Sequence, residues 1–506
     1  MKHIDTAPRF GAIILAALLA FTTHAKAQDR TLFIVLQEEP TSLDACDTNY
    51  VGNSRVLRNN ITETLVNISP TDGSIVQGLA TAWEQTSPTT WRFKLRPGVT
   101  FSDGTPFNTA AVANALARAQ VAVLGCSIRG SKLGKNPYTA TIVDDLTIDI
   151  TGEAPDPVIP YRMSVLDIPS LATGLMDAKT EAPVGTGPYM LSSWDKGNSI
   201  KLSANPAYWG DKPAIPEVAF VWRAESAIRG AMIDAGEADL AFNIAPQDAT
   251  TPRDVSFLNA EITFLRIDTQ IAPFNDRRVR EAVNLAIDRD ALIGTIFHKD
   301  VQKSTQMILP SVVGYSADLK PWPHDPARAK ALIEEARADG VPVDTEIVIH
   351  GRLNLYPNST ESMEAIQAML TDAGFNVRLN MMETKVWLEE LLKPFDDGRP
   401  PNLLQSQHDN TQGDAVFTIG PKYRSDGNQS TLADPEVDRL IDLGTSSNGP
   451  ERGKAFADAF YRIEHDLIGS VPLFNMVGSV RVGDAVNYTP DVQTNNEIKL
   501  KSITFK

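Results

Sequence analysis

The sequence predicts an α/β protein that contains parallel β-strands and is large enough to form two or three lobes. Between residues 325 and 381 the pattern runs helix, strand, helix, strand, which is typical of a parallel βαβ unit. The apolar run from Leu32 to Leu36 indicates another strand, covered on both faces. With 506 residues, the chain exceeds what a single hydrophobic core usually holds.

Local signals support each element of the predicted βαβ unit. Asp325 is a typical helix cap and is followed by a proline that suits the first helical position. Residues 346–350 predict the first strand. We predict that Ser359 caps the second helix and that Gly374 ends it. Alternating apolar residues over 377–381 predict the second strand.

A second strongly patterned segment lies earlier in the chain. Residues 91–96 alternate apolar and basic side chains, which indicates a strand buried on one face only. The Pro-Gly pair at 97–98 and the Asp-Gly pair at 103–104 predict turns. A helix is expected to begin at Asn108.

The N-terminus predicts an exported protein. A weakly basic start precedes an apolar run over residues 11–21 and a small-x-small cleavage site at 25–27. The alternative is a membrane anchor, but this run is shorter than the roughly 18 apolar residues of a spanning helix. Cleavage after residue 27 would leave 479 of the 506 residues.

Charge and motifs exclude several classes of function. Loss of residues 1–27 changes the formal net charge from −16 to −18, which disfavours nucleic acid and anionic membranes as partners. The sequence contains no nucleophile elbow, zinc-protease helix, P-loop or dinucleotide-binding glycine motif. We therefore predict a protein that is not an enzyme and needs no cofactor.

The chain contains two cysteines, Cys46 and Cys126. In an oxidising compartment, an isolated pair most simply forms a disulfide. The alternative is two unrelated buried thiols. The spacing fits neither a redox pair nor a zinc site.

Five segments, in the same order, resemble those of extracytoplasmic solute-binding proteins that serve peptide and nickel ABC importers. They are residues 40–44 (PTSLD), 78–107, 184–189 (VGTGPY), 205–210 (NPAYWG) and 273–289. The resemblance covers nearly the whole mature chain. It implies a two-lobed periplasmic binding protein fold with an extra third domain.

The resemblance also implies how the chain divides. The signal peptide would be 1–27, lobe I 28–70, 184–270 and 474–506, the extra domain 71–183, and lobe II 271–473. Such a protein acts as a periplasmic monomer that closes about a hinge on a small solute. Its partners would be the cognate permease and ATPase. A role in chemosensing, in place of transport, stays open.

Two charged residues match the family's peptide anchors. Asp409 occupies the position of an aspartate that pairs with the peptide ammonium, and Arg352 that of an arginine that holds the carboxylate. The tryptophan that usually precedes this aspartate is replaced by Ser406. The expected ligand is therefore a small peptide, with an opine, a sugar conjugate or a metal chelate as the alternative.

His408 and Asn410 flank Asp409 and complete this candidate loop. Nickel-chelate relatives use a histidine here, although a dedicated metal site needs several converging ligands. A hydrogen bond from His408 to neighbouring groups is the competing interpretation.

The resemblance also implies that two further loops would face the ligand-binding cleft between the two lobes. One contains Asn49 and Tyr50, and the other contains Arg129, Gly130 and Ser131. A disulfide would tie these loops together beside the ligand. Arg129 also forms a small basic cluster with Lys132 and Lys135, which could meet an acidic ligand or simply be solvated.

Overall fold

The computed structural model describes residues 30–134, 136–170 and 176–506. The predicted signal peptide, residues 1–27, lies outside the described residues. The strands, β1 to β19 in chain order, are Thr31–Leu36, Val66–Ile68, Ile75–Gln77, Ala80–Ser87, Thr90–Leu95, Tyr138–Asp144, Thr147–Gly152, Tyr189–Asp195, Ser199–Ala204, Glu217–Trp222, Leu240–Phe242, Asp254–Ile267, Gln302–Lys303, Ile347–Arg352, Val377–Met382, Asn402–Asp409, Ser470–Val482, Val486–Asn487 and Thr504–Phe505.

Helices pack on these strands. The α-helices, α1 to α12 in chain order, are Val51–Leu57, Thr109–Ala119, Ile159–Met163, Ser226–Asp234, Arg277–Ala286, Arg289–Leu292, Pro326–Ala338, Ser359–Asp372, Thr384–Leu391, Val416–Tyr423, Pro435–Ser446 and Gly449–Tyr461. Short 3₁₀ turns span Ala45–Asp47, Ala122–Leu124 and Leu500–Ser502, and π-type turns span Arg129–Leu133 and Arg462–Leu467. In the part of the chain described, no helix has the length and apolar character needed to cross a membrane.

One sheet of 11 strands runs through the molecule. Its order is β15-β14-β16-β12-β17-β11-β1-β10-β9-β8, with β13 beside β17. The antiparallel strands β12 and β17 are the longest, with 14 and 13 residues. The end of β12 pairs with β16, whereas the end of β17 pairs with β11. This pair of strands therefore joins the two halves of the sheet.

The β12/β17 ladder is interrupted near its middle. Leu258 pairs with Val477 and Ile262 pairs with Asn475, so four steps along β12 match two along β17. Ala260 lies within this bulge and has a φ of 64°. A bulge of this kind bends the strand and interrupts regular pairing.

The predicted βαβ unit is confirmed, with one correction. Strands β14 and β15 are parallel, with α8 between them. Asp325 caps α7 by accepting a hydrogen bond from the backbone N–H of Arg328. The prediction that Ser359 caps α8 was wrong, because Asn358 occupies the cap in a left-handed conformation and Ser359 is the first helical residue. Asparagine tolerates that conformation better than most residues.

The patterned segment at 91–96 is strand β5, in a four-stranded sheet of order β4-β5-β7-β6. Phe93 and Leu95 are buried, while Arg92 forms a cross-strand ion pair with Asp149 at 2.7 Å. A helix was predicted from Asn108, and α2 begins one residue later, with the side chain of Asn108 as its cap.

Strand β1 departs in part from its expected burial. Leu32 and the last three residues of the strand are buried, but Phe33 is 41% exposed. Although β1 has a neighbour on each side, one of its two faces is thus incompletely covered at this position.

A buried ion pair joins α10 and α12. Asp414 Oδ2 lies 2.8 Å from Arg452 Nε, and Asp414 Oδ1 lies 2.7 Å from Arg452 Nη2. The two side chains are 1% and 6% exposed. Asp414 also accepts a hydrogen bond from the backbone N–H of Val416 at the start of α10. The carboxylate is thereby committed to holding these two helices in place.

Candidate functional site

A cavity of about 480 Å³ lies where β12 and β17 cross between the two halves of the sheet. Residues of both strands form its floor: Phe257, Asn259, Glu261, Met476, Val477, Gly478 and Ser479. Residues on the β1 side form one wall: Leu36, Gln37, Glu38, Val51, Gly52, Arg55, Ala224, Ser226, Arg229, Asn243, Ile244, Ala245, Pro246 and Asn495. Residues on the β14 side form the other: Phe297, His298, Val301, Asn354, Leu355, Tyr356, Pro357 and Gln407. We call this cavity the cleft.

Arg55 extends from α1 into the cleft and is only 3% exposed. Its Nε donates to the backbone carbonyl of Asn495 at 2.9 Å, and its Nη2 lies 3.5 Å from the side-chain oxygen of the same residue. The guanidinium carbon lies 5.3 Å from the centre of the Phe242 ring. Burial lowers the pKa of Arg55 to about 10, so the group stays charged at neutral pH.

Glu261 follows the β12 bulge and faces the same cavity. Its Oε1 accepts a hydrogen bond from Asn495 Nδ2 at 3.1 Å, and its Oε2 accepts from the side-chain amide of Gln407. Burial, and then the nearby Asp409 carboxylate, raise the pKa of Glu261 to about 8. The hydrogen bonds that this carboxyl accepts from described side chains come from amide groups, and none comes from a basic side chain.

Asp409 ends β16 and pairs with Glu261 across the ladder between β12 and β16. Its Oδ2 lies 3.1 Å from Nζ of Lys132 and accepts a hydrogen bond from Thr411 Oγ1 at 2.9 Å. The cleft lining contains Glu261 and Gln407 but not Asp409. Asp409 therefore lies beside the cleft, with a cation of the same chain against it.

His408 lies between Gln407 and Asp409 on the strand, so its side chain projects to the opposite face. Its Nε2 lies 2.6 Å from Thr418 Oγ1. Burial lowers the pKa of the His408 imidazole well below its usual range, so the ring is neutral at neutral pH. Within the described ranges, no three His, Cys, Asp or Glu side chains converge as metal ligands would.

Asn410 is buried at the turn that follows β16. Its backbone N–H donates to the carbonyl of Ala260 in the β12 bulge at 2.9 Å. Its side-chain oxygen accepts no hydrogen bond from the described part of the chain. Asn410 therefore ties the candidate loop to the crossing strands.

Arg352 ends β14 at the edge of the cleft. Its guanidinium lies over the ring of Trp387, 5.5 Å from the ring centre, and its Nε donates to Thr384 Oγ1 at 3.1 Å. Burial lowers the pKa of Arg352. The neighbouring residues Asn354 and Leu355 line the cleft, whereas Arg352 contacts α9.

The disulfide between Cys46 and Cys126 is present, as predicted, with 4.7 Å between the Cα atoms. It joins the loop of Asn49 and Tyr50 to the π-type turn that Arg129 begins. Tyr50 is 55% exposed, and the Arg129 guanidinium donates to the backbone carbonyl of Gln120.

The remaining predicted residues of this loop are only partly described. Gly130 and Ser131 lie in the same π-type turn, but only their place in the turn is described. Lys135 lies outside the described residues. Ligand contact by these residues, and by Asn49, Tyr50 and Arg129, stays a prediction.

The sequence analysis missed Arg55, Glu261 and Asn495. A usable signal existed for one of them, since Phe257, Asn259 and Glu261 alternate along a strand and place polar groups on the floor of the cleft. Arg55 and Asn495 carry no comparable signal, because their significance depends on contacts between segments 440 residues apart.

Comparisons with known proteins place this architecture in context. A family model described as bacterial extracellular solute-binding proteins, family 5 Middle, matches residues 74–425. A probable di/tripeptide-binding protein 5 from Pseudomonas aeruginosa is 24% identical over 498 residues, covering 91% of this chain and 93% of that protein. The glutathione-binding protein GsiB of Escherichia coli is 27% identical over 402 residues, 75% of each chain. The structure of HbpA2 from Haemophilus parasuis superposes with a TM-score of 0.81 at 20% identity, covering 94% of this chain and 100% of that one.

Proposed function

This chain belongs to the bacterial extracellular solute-binding proteins of family 5, and we propose that it captures a small peptide or peptide-like solute for the permease of an ABC importer. The observation that carries the proposal is the cleft across β12 and β17, which residues from both halves of the sheet line. A solute bound there contacts both halves and so favours the closed conformation. The permease would recognise that conformation.

The match to this family confirms the resemblance drawn from the five sequence segments, and the superposition confirms the expected fold class. The division into lobe I, lobe II and an extra domain at 71–183 is part of the proposal. The four-stranded sheet of β4 to β7 lies within 71–183 and is separate from the 11-stranded sheet, which supports treating that segment as a domain.

A peptide suits the cleft in size and chemistry. Its volume of about 480 Å³ is within the range of sites for small molecules, and its walls combine apolar side chains with a few polar groups. Two relatives are named for di/tripeptides and for glutathione. The proposed action is binding alone, by a monomer, with no catalytic step and no cofactor.

Export to the periplasm is the corresponding proposal for location. The family is named for extracellular proteins, and the first 27 residues have the pattern of a cleaved signal peptide. Deletion of the gene should abolish uptake of the solute if the role is transport. Unchanged uptake with altered chemotaxis would indicate sensing instead.

Native mass spectrometry of protein taken directly from cells should show a retained ligand. We expect a di- or tripeptide mass that disappears after unfolding and refolding, because unfolding destroys the cleft and releases the solute. A mass that contains sugar or phosphorus would contradict the peptide proposal and favour the opine or sugar-conjugate alternative.

If Asp409 holds the ligand ammonium, as the family resemblance implies, Asp409→Asn should weaken the binding of a dipeptide by about tenfold or more. A hydrogen bond to a charged group contributes about 1.5–3 kcal/mol, and about 1.4 kcal/mol corresponds to a tenfold change in Kd. Isothermal titration calorimetry on refolded protein measures the change. Asp149→Asn is the matched control, since Asp149 also pairs with a basic side chain but lies in the separate sheet. Unchanged affinity of Asp409→Asn would remove this residue from the ligand anchors.

Arg352 stays a second predicted anchor, although its guanidinium contacts Trp387 and Thr384 in this structure. To reach a ligand carboxylate in the cleft, the side chain would have to leave Trp387. The same titration with Arg352→Gln tests this role, and unchanged affinity would exclude it.

A further inference from the structure

A guanidinium and a carboxyl group line the cleft, and neither forms an ion pair with any residue that the structure describes. They are Arg55, on α1, and Glu261, on β12. Asp409 is in a different position, since Lys132 already lies against its carboxylate. The cleft thus presents one guanidinium and one carboxyl group, and no described residue of opposite charge contacts either of them in an ion pair.

Burying a charge without a partner is costly, so this arrangement needs a reason. A comparison with Arg229, which also lines the cleft, is informative. Arg229 is buried to a similar degree, but its guanidinium donates to four backbone carbonyls. Among the described residues, the Arg55 guanidinium donates hydrogen bonds to Asn495 alone, which leaves much of its capacity for a partner in the cavity.

Asn495 holds the two charged groups close together. Its backbone carbonyl accepts from Arg55 Nε at 2.9 Å, and its side-chain amide donates to Glu261 Oε1 at 3.1 Å. A single residue thus sets the positions of both groups relative to each other. Such fixed partners reduce the reorganisation needed when a ligand binds.

Resting on the proposed function, we infer that the cleft is built for a short zwitterion whose ammonium group lies against Glu261 and whose carboxylate lies against Arg55. The ammonium replaces the missing cation at Glu261, and the planar guanidinium of Arg55 receives the carboxylate. Because both anchors contact one asparagine, the ligand is short. Two extended residues span at most about 7 Å. The ligand class is therefore a dipeptide or an amino-acid-like molecule of similar length.

Proton release on ligand binding provides a second test of this arrangement. The charged groups that act on Glu261 are Asp409 on β16, with Lys132 behind it, and Arg55 on α1. The other titratable groups that line the cleft are Glu38, Arg229, His298 and Tyr356. Burial and Asp409 raise the pKa of Glu261 to about 8, so the unliganded carboxyl is largely protonated at pH 7. An ammonium favours the ionised form, so binding releases a proton below that pH.

The affinity for an ammonium ligand is consequently expected to rise with pH. Between pH 6 and 7.5 the association constant should increase by about tenfold per pH unit and then level off near the pKa of Glu261. Titrations in two buffers that differ in heat of ionisation should show the released proton directly. Glu261→Gln should abolish both effects.

The decisive experiment combines three probes with two variants. The probes are Ala-Ala, N-acetyl-Ala-Ala and Ala-Ala amide. Each is titrated calorimetrically into protein that has been unfolded and then refolded to remove any bound ligand. In the wild type, acetylation and amidation should each weaken binding by at least tenfold. Glu261→Gln should bind Ala-Ala and its acetyl form alike, and Arg55→Gln should bind Ala-Ala and its amide alike.

Each outcome supports or overturns the inference. Wild-type binding of Ala-Ala with unchanged discrimination in both variants would overturn these anchors while leaving the proposed function intact. Failure of the wild type to bind any dipeptide in a mixed panel would overturn the proposed function and this inference together. Glu497→Gln is the matched control for Glu261→Gln, because Glu497 is a buried glutamate outside the cleft. If Arg55→Gln does not fold, the wild-type comparison of acid and amide, repeated with Arg55→Lys, decides the carboxylate site.

Discussion

Replacement of Asp414 by Asn is expected to lower the free energy of unfolding by about 3–5 kcal/mol. The substitution leaves Arg452 buried without its counter-ion, and breaking a buried pair from one side is costly because the remaining charge stays desolvated. Arg452 keeps a hydrogen bond to the carbonyl of Gly444, but that contact does not neutralise the guanidinium. A urea titration of the wild type and the variant, followed by circular dichroism, measures the difference.

An exposed pair provides the matched control. Glu436 and Arg439 are close, with 2.7 Å between Oε1 and Nη2, but their side chains are 43% and 59% exposed. Glu436→Gln should change the free energy of unfolding by less than about 1 kcal/mol, because water already solvates both groups. Similar losses in the two variants would contradict the importance of burial for the Asp414 pair.

The second large effect concerns the bond between Cys46 and Cys126. A disulfide that closes a loop of 80 residues is worth up to about 4.5 kcal/mol through the entropy of the unfolded chain. We expect the double variant Cys46→Ser, Cys126→Ser to lose about 2–4 kcal/mol in a urea titration. The two serines keep the size of the side chains while removing the cross-link.

Chemical reduction supplies an independent control for that measurement. Dithiothreitol should destabilise the wild type by a similar amount and leave the double variant unchanged. Equal stability of oxidised and reduced wild type would show that the cross-link adds nothing to the stability of the fold. In that case its contribution would be limited to the order of the two loops that it joins.

Local chemistry accounts for the parts of the fold that could be predicted. The cap at Asp325, the helix that starts next to Asn108 and the alternation over 91–96 depend on neighbouring residues, and the structure has each of them. Ser359 failed as a cap because Asn358, one residue earlier, adopts a left-handed conformation that the pattern of residue types does not distinguish. Phe33 remains exposed because covering both faces of β1 requires packing partners that come from distant parts of the chain.

The candidate site was predictable to a smaller extent. The resemblance led to Asp409, Arg352 and the two loops that the disulfide joins, and ligand contact by all of them stays a prediction. Arg55, Glu261 and Asn495 could not be associated from the sequence, since only the folded chain brings them together. Ion pairing was equally hidden: nothing near Asp409 in the sequence indicates that Lys132 lies against it.

The bulge at Ala260 has a consequence for how the two halves of the sheet would move relative to each other. Regular pairing is interrupted there, so in the proposed closure the hinge is expected near the middle of β12, with one half of the sheet on each side of it. Glu261 is next to this bulge, so its own displacement in the proposed closure should be small, while the outer surfaces should move much farther. Two spin labels, one on the outer surface of each half, should report a change in distance on ligand binding that is far larger than the change between labels near residue 261. Ligand affinity and the extent of movement at the outer surfaces could then be altered independently. Side chains in the cleft would change the affinity, and the length of the two halves of the sheet would change the movement.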